Sequence, residues 1–342
     1  MRKLQFDFVP APGAPSLDAD MANAIAKQED LVRLDGGPAK TLQGIREQQA
    51  RLSEFWNEGA PDIEAVNDVT IPISDGALSG RLYQPSRERT PILIYLHGGG
   101  WNRGSIASAD CTCRHLAKEC RFAVLSLGYR LAPENRFPAA ILDVLSAMDW
   151  CRRNAEDLNV DGQCIFLGGG SAGANLSVVA AIKCRDEGLP SPSGLVLFYG
   201  GYQNVNFNTS SHLTFGDGRY GNPTIRKLGY IVNYVPSGVQ VSNPYISPLL
   251  APNLSNLPPM WFGIAELDIL RDDQLAFAER LGKEGGRAVV RRYYGLTHGF
   301  AARTRMVPRA VTAICEAAAF VREIAVRDTS IRLQPKGVEN EK

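Results

Sequence analysis

Short, unbroken apolar runs recur along the middle of the chain, at 92–96, 122–127, 164–167, 195–199, 260–264 and 289–293. Each has strand length and lacks the alternation of a half-exposed strand, so these runs predict strands buried on both faces. Between them, helical spacing falls at 109–119, 139–153, 174–185 and 273–284. That order predicts an α/β fold, a mostly parallel sheet flanked by helices. Ahead of it, 69–73 and 78–83 alternate apolar with polar residues about a turn at Asp75-Gly76, a hairpin that brings the sheet to eight strands.

Two regions depart from this rhythm. After a proline- and alanine-rich loop from Pro10 to Pro15, Met21, Ala24, Ile25, Leu31 and Leu34 fall at near-helical spacing. Leu42, Ile45, Leu52 and Phe55 repeat the pattern. Each such helix has one apolar stripe and needs a partner. Residues 201–245, rich in Asn, Ser, Gly, Tyr and Phe, separate the strand ending at Tyr199 from the one starting at Met260. So long a connection is read as a functional insertion. The expected organisation is 1–60 as the N-terminal part of a helical cap, 61–200 and 246–328 as the catalytic core, 201–245 as the cap insertion and 329–342 as a loose tail. A final helix carries Val311, Ile314, Ala318 and Val321 on one face.

Composition narrows the partners. The 342 residues carry a formal charge of +1 with 21% charged residues, so no basic field points to nucleic acid, and a small, largely uncharged ligand is expected. The first residues lack an apolar stretch of signal length, and no run is suited to a bilayer, so no membrane contact is expected. Seven cysteines, an odd number, fit a reducing cytoplasm. Cys111-x-Cys113 falls in a predicted helix and is read as packed or exposed rather than metal-binding.

One stretch carries the chemistry. Gly169-Gly170-Ser171-Ala172-Gly173 follows a strand and opens an apolar helix, the setting in which Gly-x-Ser-x-Gly is a nucleophile elbow. Gly-Ser turns also serve as plain chain reversals. The run from Gly168 to Gly173 equally fits the dinucleotide fingerprint Gly-x-Gly-x-x-Gly, although Asp186 and Glu187, near the spacing of its ribose acid, fall in a polar turn rather than at a strand end.

A serine nucleophile needs a base, and there are four histidines. His115 falls in a helix and His212 in the insertion; His97 opens a glycine loop. His298 follows the last strand in Leu296-Thr297-His298-Gly299-Phe300 and is the strongest candidate base. The orienting acid belongs between Ser171 and His298 at the end of a strand, which selects Asp268 over Glu266, with Asp272 and Asp273 read as helix caps. His97-Gly98-Gly99-Gly100-Trp101 exposes backbone amides after another strand, so Gly98, Gly99 and Ala172 are assigned as oxyanion donors.

Taken together, His97-Gly98-Gly99-Gly100-Trp101, Tyr129-Arg130-Leu131-Ala132-Pro133-Glu134 with Phe137-Pro138-Ala139-Ala140, the stretch from Gly169 to Gly173, and Asp268 with His298-Gly299-Phe300 resemble the hormone-sensitive lipase family of α/β-hydrolases, which includes many bacterial carboxylesterases. Asn243-Pro244-Tyr245-Ile246-Ser247-Pro248-Leu249-Leu250 is similar to the family's segment ahead of the acid-bearing strand. The resemblance implies an α/β-hydrolase fold, a Ser171-His298-Asp268 triad, a supporting role for Glu134 in the site's hydrogen-bond network, no metal or organic cofactor, and a lid made from the N-terminus and the insertion; His97 and Gly170 are likewise expected to support the site.

The chain departs from the family at Gly170, where aspartate is usual, which implies a looser elbow, at Ala174, where glycine is usual, and at Gly200-Gly201, where proline is frequent. The activity implied is hydrolysis of a carboxylic ester, short in its acyl chain or compact and aromatic, through an acyl-enzyme. Lactone, amide or carbamate hydrolysis, a non-catalytic small-molecule receptor and the dinucleotide-binding oxidoreductase are the alternatives. Trp101, Tyr202, Phe207 and Phe215 are expected to line the pocket. Strand 289–293, expected at the sheet edge, is a candidate surface for a homodimer.

Overall fold

The computed structural model describes residues 5–6 and 16–332. The loop from Pro10 to Pro15 and residues 333–342 of the expected tail lie outside them. Among the described residues one sheet contains nine strands, β1 (Gln5–Phe6), β2 (Ala65–Ile73), β3 (Gly76–Gln84), β4 (Thr90–Leu96), β5 (Ala123–Gly128), β6 (Val160–Gly170), β7 (Gly194–Phe198), β8 (Met260–Leu267) and β9 (Ala288–Thr297). Their spatial order is β1-β9-β8-β7-β6-β4-β5-β3-β2. The β2–β3 and β3–β5 pairs are antiparallel and the rest parallel.

All eight expected strands are present, and the two-residue β1 adds a ninth. It changes one expectation, because β9 is not the outermost strand: Gln5 and Phe6 pair with Val289 and Val290. A second copy of the chain pairing at 289–293 would have to displace β1.

Nine helices accompany the sheet among the described residues: α1 (Ala19–Leu34), α2 (Leu42–Asn57), α3 (Ile106–Cys120), α4 (Ala139–Arg153), α5 (Ala172–Asp186), α6 (Ser210–Phe215), α7 (Thr224–Tyr234), α8 (Arg271–Lys283) and α9 (Pro308–Arg332). Helix α9 thus continues through 329–332, four positions expected in a loose tail. None of these helices is long and apolar enough to cross a membrane.

The unbroken apolar runs follow from cover on both faces. In β4, Ile92, Ile94 and Leu96 join the core beneath α4, α5 and α8, while Leu93 and Tyr95 join the opposite core beneath α3 and α9. β6 divides in the same way, Ile165 and Leu167 to one face, Cys164 and Phe166 to the other. A period of two with both faces apolar reads in sequence as a continuous hydrophobic run.

The N-terminal helices are fixed to this core by polar contacts. Asn57 at the end of α2 donates to the Ala107 carbonyl at 2.9 Å and accepts from the Cys111 amide at 3.1 Å, which ties α2 to α3. The Asp18 amide, just ahead of α1, donates to the Gly295 carbonyl at 3.0 Å. The carboxyl ends of the parallel strands β4, β6, β8 and β9 all open toward one edge of the sheet, where ligands bind in open α/β sheets.

Candidate active site

β6 runs through Gly168, Gly169 and Gly170, so these glycines are strand rather than turn, and the reversal falls on Ser171 alone. Ser171 adopts φ 56° and ψ −115°, a conformation disfavoured for a residue with a side chain. The surrounding residues enforce it. A Cβ on Gly169 would lie 2.5 Å from the Gly173 carbonyl carbon, and one on Gly173 would lie 1.9 Å from the Leu96 carbonyl oxygen. Strand, turn and helix can pack this closely only without side chains at those positions. α5 begins at Ala172 and directs its amino end, with its unpaired amides and positive dipole, at the serine.

His298, immediately after β9, bridges the other two expected residues. Its Nε2 is 2.9 Å from the Ser171 Oγ and its Nδ1 is 2.8 Å from Asp268 Oδ2. Asp268, immediately after β8, is 1% exposed, and its other oxygen accepts from the Leu270 amide at 3.1 Å. A carboxylate acceptor on Nδ1 fixes the tautomer with the proton there, leaving Nε2 to accept from the serine hydroxyl. Glu266, the weaker candidate acid, is engaged elsewhere by Arg271 and Arg292. His115 and His212 take no part: His115 lies in α3, and the His212 Nδ1 meets the Thr224 hydroxyl at 2.9 Å.

The glycine loop after β4 lies against the elbow. A Cβ on Gly98 would lie 3.4 Å from that of Ser171, and Gly99 has φ +125°. Among the described residues no hydrogen bond engages the amides of Gly98, Gly99 or Ala172. His97 anchors the loop from below. It is buried, its Nδ1 donates to the Gly98 carbonyl at 2.9 Å, its ring stacks on Tyr129 with centroids 4.3 Å apart, and the Tyr129 hydroxyl donates to its carbonyl at 2.9 Å.

Burial pushes His97 down to about 4, and burial with the nearby Lys227 does the same to His212, against an ordinary value of about 6.5. The native protein therefore keeps both rings neutral where the unfolded chain protonates them. The unfolded state binds more protons in that window, so stability is full above about pH 6.5 and falls as pH drops toward 4. A lower urea midpoint at pH 4.5 than at pH 7.5 is expected, and a flat midpoint would contradict it.

Ser171, His298 and the glycine loop open on a cavity of about 670 Å³. Of the four expected pocket aromatics only Trp101 lines it, stacked on Tyr234 at 4.6 Å. Tyr202 is fully buried against Phe262 and Phe277, Phe207 packs on His212, and Phe215 packs with Leu267, Ile269 and Leu270. The cause is that this part of the insertion folds back on α8, where the Ser211 amide donates to Asp272 at 2.7 Å, and these three aromatics serve packing. The walls come instead from Trp56 on α2, Tyr95 at the end of β4, Tyr199 just after β7 and Tyr230 on α7.

Glu134 also differs from expectation. It is exposed, lies outside the cavity wall and forms a two-pronged pair with Arg46 of α2 at 2.8 and 2.9 Å, which holds its carboxyl down at about 2. Arg46 further donates to the carbonyls of Asn102 and Ala132 at 2.8 Å each. Its contribution is to hold α2 against the glycine loop.

Gly170 is not a gap in the elbow. A Cβ there would lie 2.9 Å from Tyr199 Cε2 and 3.0 Å from its hydroxyl, so this ring occupies the space of the family's usual aspartate. Tyr199, at φ 40°, sits 5.0 Å from the His298 ring and 5.2 Å from Phe300. Gly170→Asp is expected to cost about 1–3 kcal/mol of stability, the scale of overpacking, as read by chemical denaturation. An unchanged or higher stability would show that the ring yields.

Residues 93–302 match a family described as the alpha/beta hydrolase fold. The chain is 39% identical over 248 residues to the carboxylic ester hydrolase LipN of Mycobacterium tuberculosis, covering 69% of this chain and 64% of that protein. It is 31% identical to an arylesterase of Saccharolobus solfataricus, over 76% of this chain and 85% of that one. The solved structure of a hyperthermophilic esterase from the archaeon Pyrobaculum calidifontis superposes with a TM-score of 0.83 at 35% identity, over 91% of this chain and 99% of that one. With more than half of its length matched by the family and two relatives above 30% identity, the chain belongs to the carboxylesterases of the α/β-hydrolase fold that resemble hormone-sensitive lipase.

Proposed function

We propose that the protein hydrolyses carboxylic esters of short acyl chain or compact aromatic form, with Ser171 as nucleophile, His298 as base and Asp268 as the group that orients it. The observation that carries this reading is the His298 bridge, 2.9 Å to the serine and 2.8 Å to the aspartate. The Ser171 oxygen attacks the ester carbonyl while Nε2 takes its proton, and the amides of Gly98, Gly99 and Ala172 receive the negative charge on the carbonyl oxygen. As the acyl–oxygen bond breaks, the imidazolium returns the proton to the leaving alcohol. Water then repeats the cycle on the acyl-enzyme, releasing the acid and restoring Ser171.

In this reading residues 1–60 and 201–245 act as a cap over the site, and the enzyme works in the cytoplasm. Lactones, amides and carbamates suit the same groups. Nitrophenyl acetate, butyrate, octanoate and palmitate separate the size classes. The highest kcat/KM is expected on acetate or butyrate, and a maximum on palmitate would refute the size assignment. Binding of these esters without turnover would favour the receptor instead.

A further inference from the structure

Arg303 follows His298 by five residues and lines the same cavity as Ser171. Its guanidinium lies over the Trp56 ring, 4.0 Å from the centroid, and its Nη1 donates to Gln28 Oε1 at 3.0 Å. The same oxygen accepts from Trp56 Nε1 at 2.8 Å, so α1 and α2 fix both the plane and the position of the guanidinium. Gln28 engages one of five N–H donors. Among the described residues no carboxylate pairs with Arg303, and burial without a counter-charge pushes it down to about 10.

Most other charged groups of the wall have the same sign. Arg103 lies over the Tyr230 ring at 4.9 Å with its Nε buried and without a hydrogen-bond partner, and Arg226 donates to the Gly221 carbonyl. Lys227 is neutralised by Asp273 at 3.2 Å. Among the described residues the cavity wall includes one carboxylate, the exposed Glu29. In a chain of formal charge +1, positive charge is thus gathered at the site. A guanidinium held by Trp56 and Gln28, with donors left over on the cavity side and no carboxylate beside it, matches a planar anion with two oxygens.

Resting on the esterase reading above, we propose that the site takes esters that carry a free carboxylate, which docks on Arg303 through two parallel hydrogen bonds. Half-esters of dicarboxylic acids are the simplest members of this class. The reaction is the hydrolysis already described, with the second carboxylate unreacted. This replaces the uncharged ligand that composition alone implies.

The test compares mononitrophenyl succinate, glutarate and adipate with their methyl-capped diesters, which places the charge on the acyl side. Butyryl-hydroxybenzoate against its methyl ester places it on the alcohol side. In at least one arm the anion is expected to be preferred by about 10- to 100-fold in kcat/KM, the scale of a charge-assisted pair. Arg303→Gln should bring that ratio close to one, and Arg303→Lys should restore part of it. Partial unfolding lowers both members of a pair alike and leaves the ratio untouched, and if Arg303→Gln is inactive, Arg303→Lys decides. Turnover of neutral esters with no anionic preference in either arm overturns the proposal, as does a preference that survives both substitutions. Failure to turn over any ester overturns the esterase reading itself.

Discussion

Ser171→Ala is expected to lower kcat by about five to six orders of magnitude on any ester that the protein hydrolyses, the scale on which removing a nucleophile from such a unit acts. Alanine removes the attacking oxygen and adds nothing to the elbow, because the strained turn is imposed by the close approach of Gly169 and Gly173. Circular dichroism should therefore be unchanged. The three residues act as one unit, so Ser171→Ala combined with His298→Ala should cost no more than either alone. The residual rate belongs to the amides of Gly98, Gly99 and Ala172. Retention of more than about one part in a hundred of kcat, far above the residue of a disabled unit, would mean that another group attacks.

Asp268→Asn is expected to cost about four orders of magnitude in kcat while leaving the fold intact. Asparagine keeps an oxygen for the Leu270 amide, now 3.1 Å from the aspartate. Its NH2 group, however, would face Nδ1, and a donor there favours the tautomer with the proton on Nε2. That proton would point at the Ser171 oxygen 2.9 Å away, and the base could no longer accept. Steady-state kinetics across pH, beside a thermal denaturation trace, measures this directly. A loss below tenfold with an unchanged fold would remove Asp268 from the account and reopen the choice of acid.

Much of the site is legible in sequence because strand ends can be located from apolar periodicity. Ser171, Asp268 and His298 each follow a strand directly, as does His97, and parallel strands carry their carboxyl ends to one edge whatever the register of the residues between. With four histidines, elimination leaves His298 as the candidate base, and it is the one that the fold brings within 2.9 Å of the Ser171 hydroxyl. Side chains whose partners lie far along the chain were not recoverable. Glu134 looks like part of the site until Arg46, on a helix far earlier in the chain, takes both its oxygens. The missing aspartate at Gly170 reads as a loss, although Tyr199 fills the space from just beyond the neighbouring strand β7.

The insertion misled for a similar reason. An aromatic in a stretch without periodicity serves the pocket or its own packing equally well, and Tyr202, Phe207 and Phe215 serve packing. Trp56 and Arg303 carry no signal in sequence, since one falls on an amphipathic helix and the other in a loop, and only the tertiary fold stacks them. β1 is two residues long and carries no periodic signal at all.

The convergence of Ser171 and His298 is tested most directly by labelling the protein with a fluorophosphonate and mapping the modified peptide. The expected adduct lies on Ser171, it forms far more slowly in His298→Ala, and it is absent in Ser171→Ala. An adduct on another residue, or full ester hydrolysis by a protein whose Ser171 stays unmodified, would contradict the account.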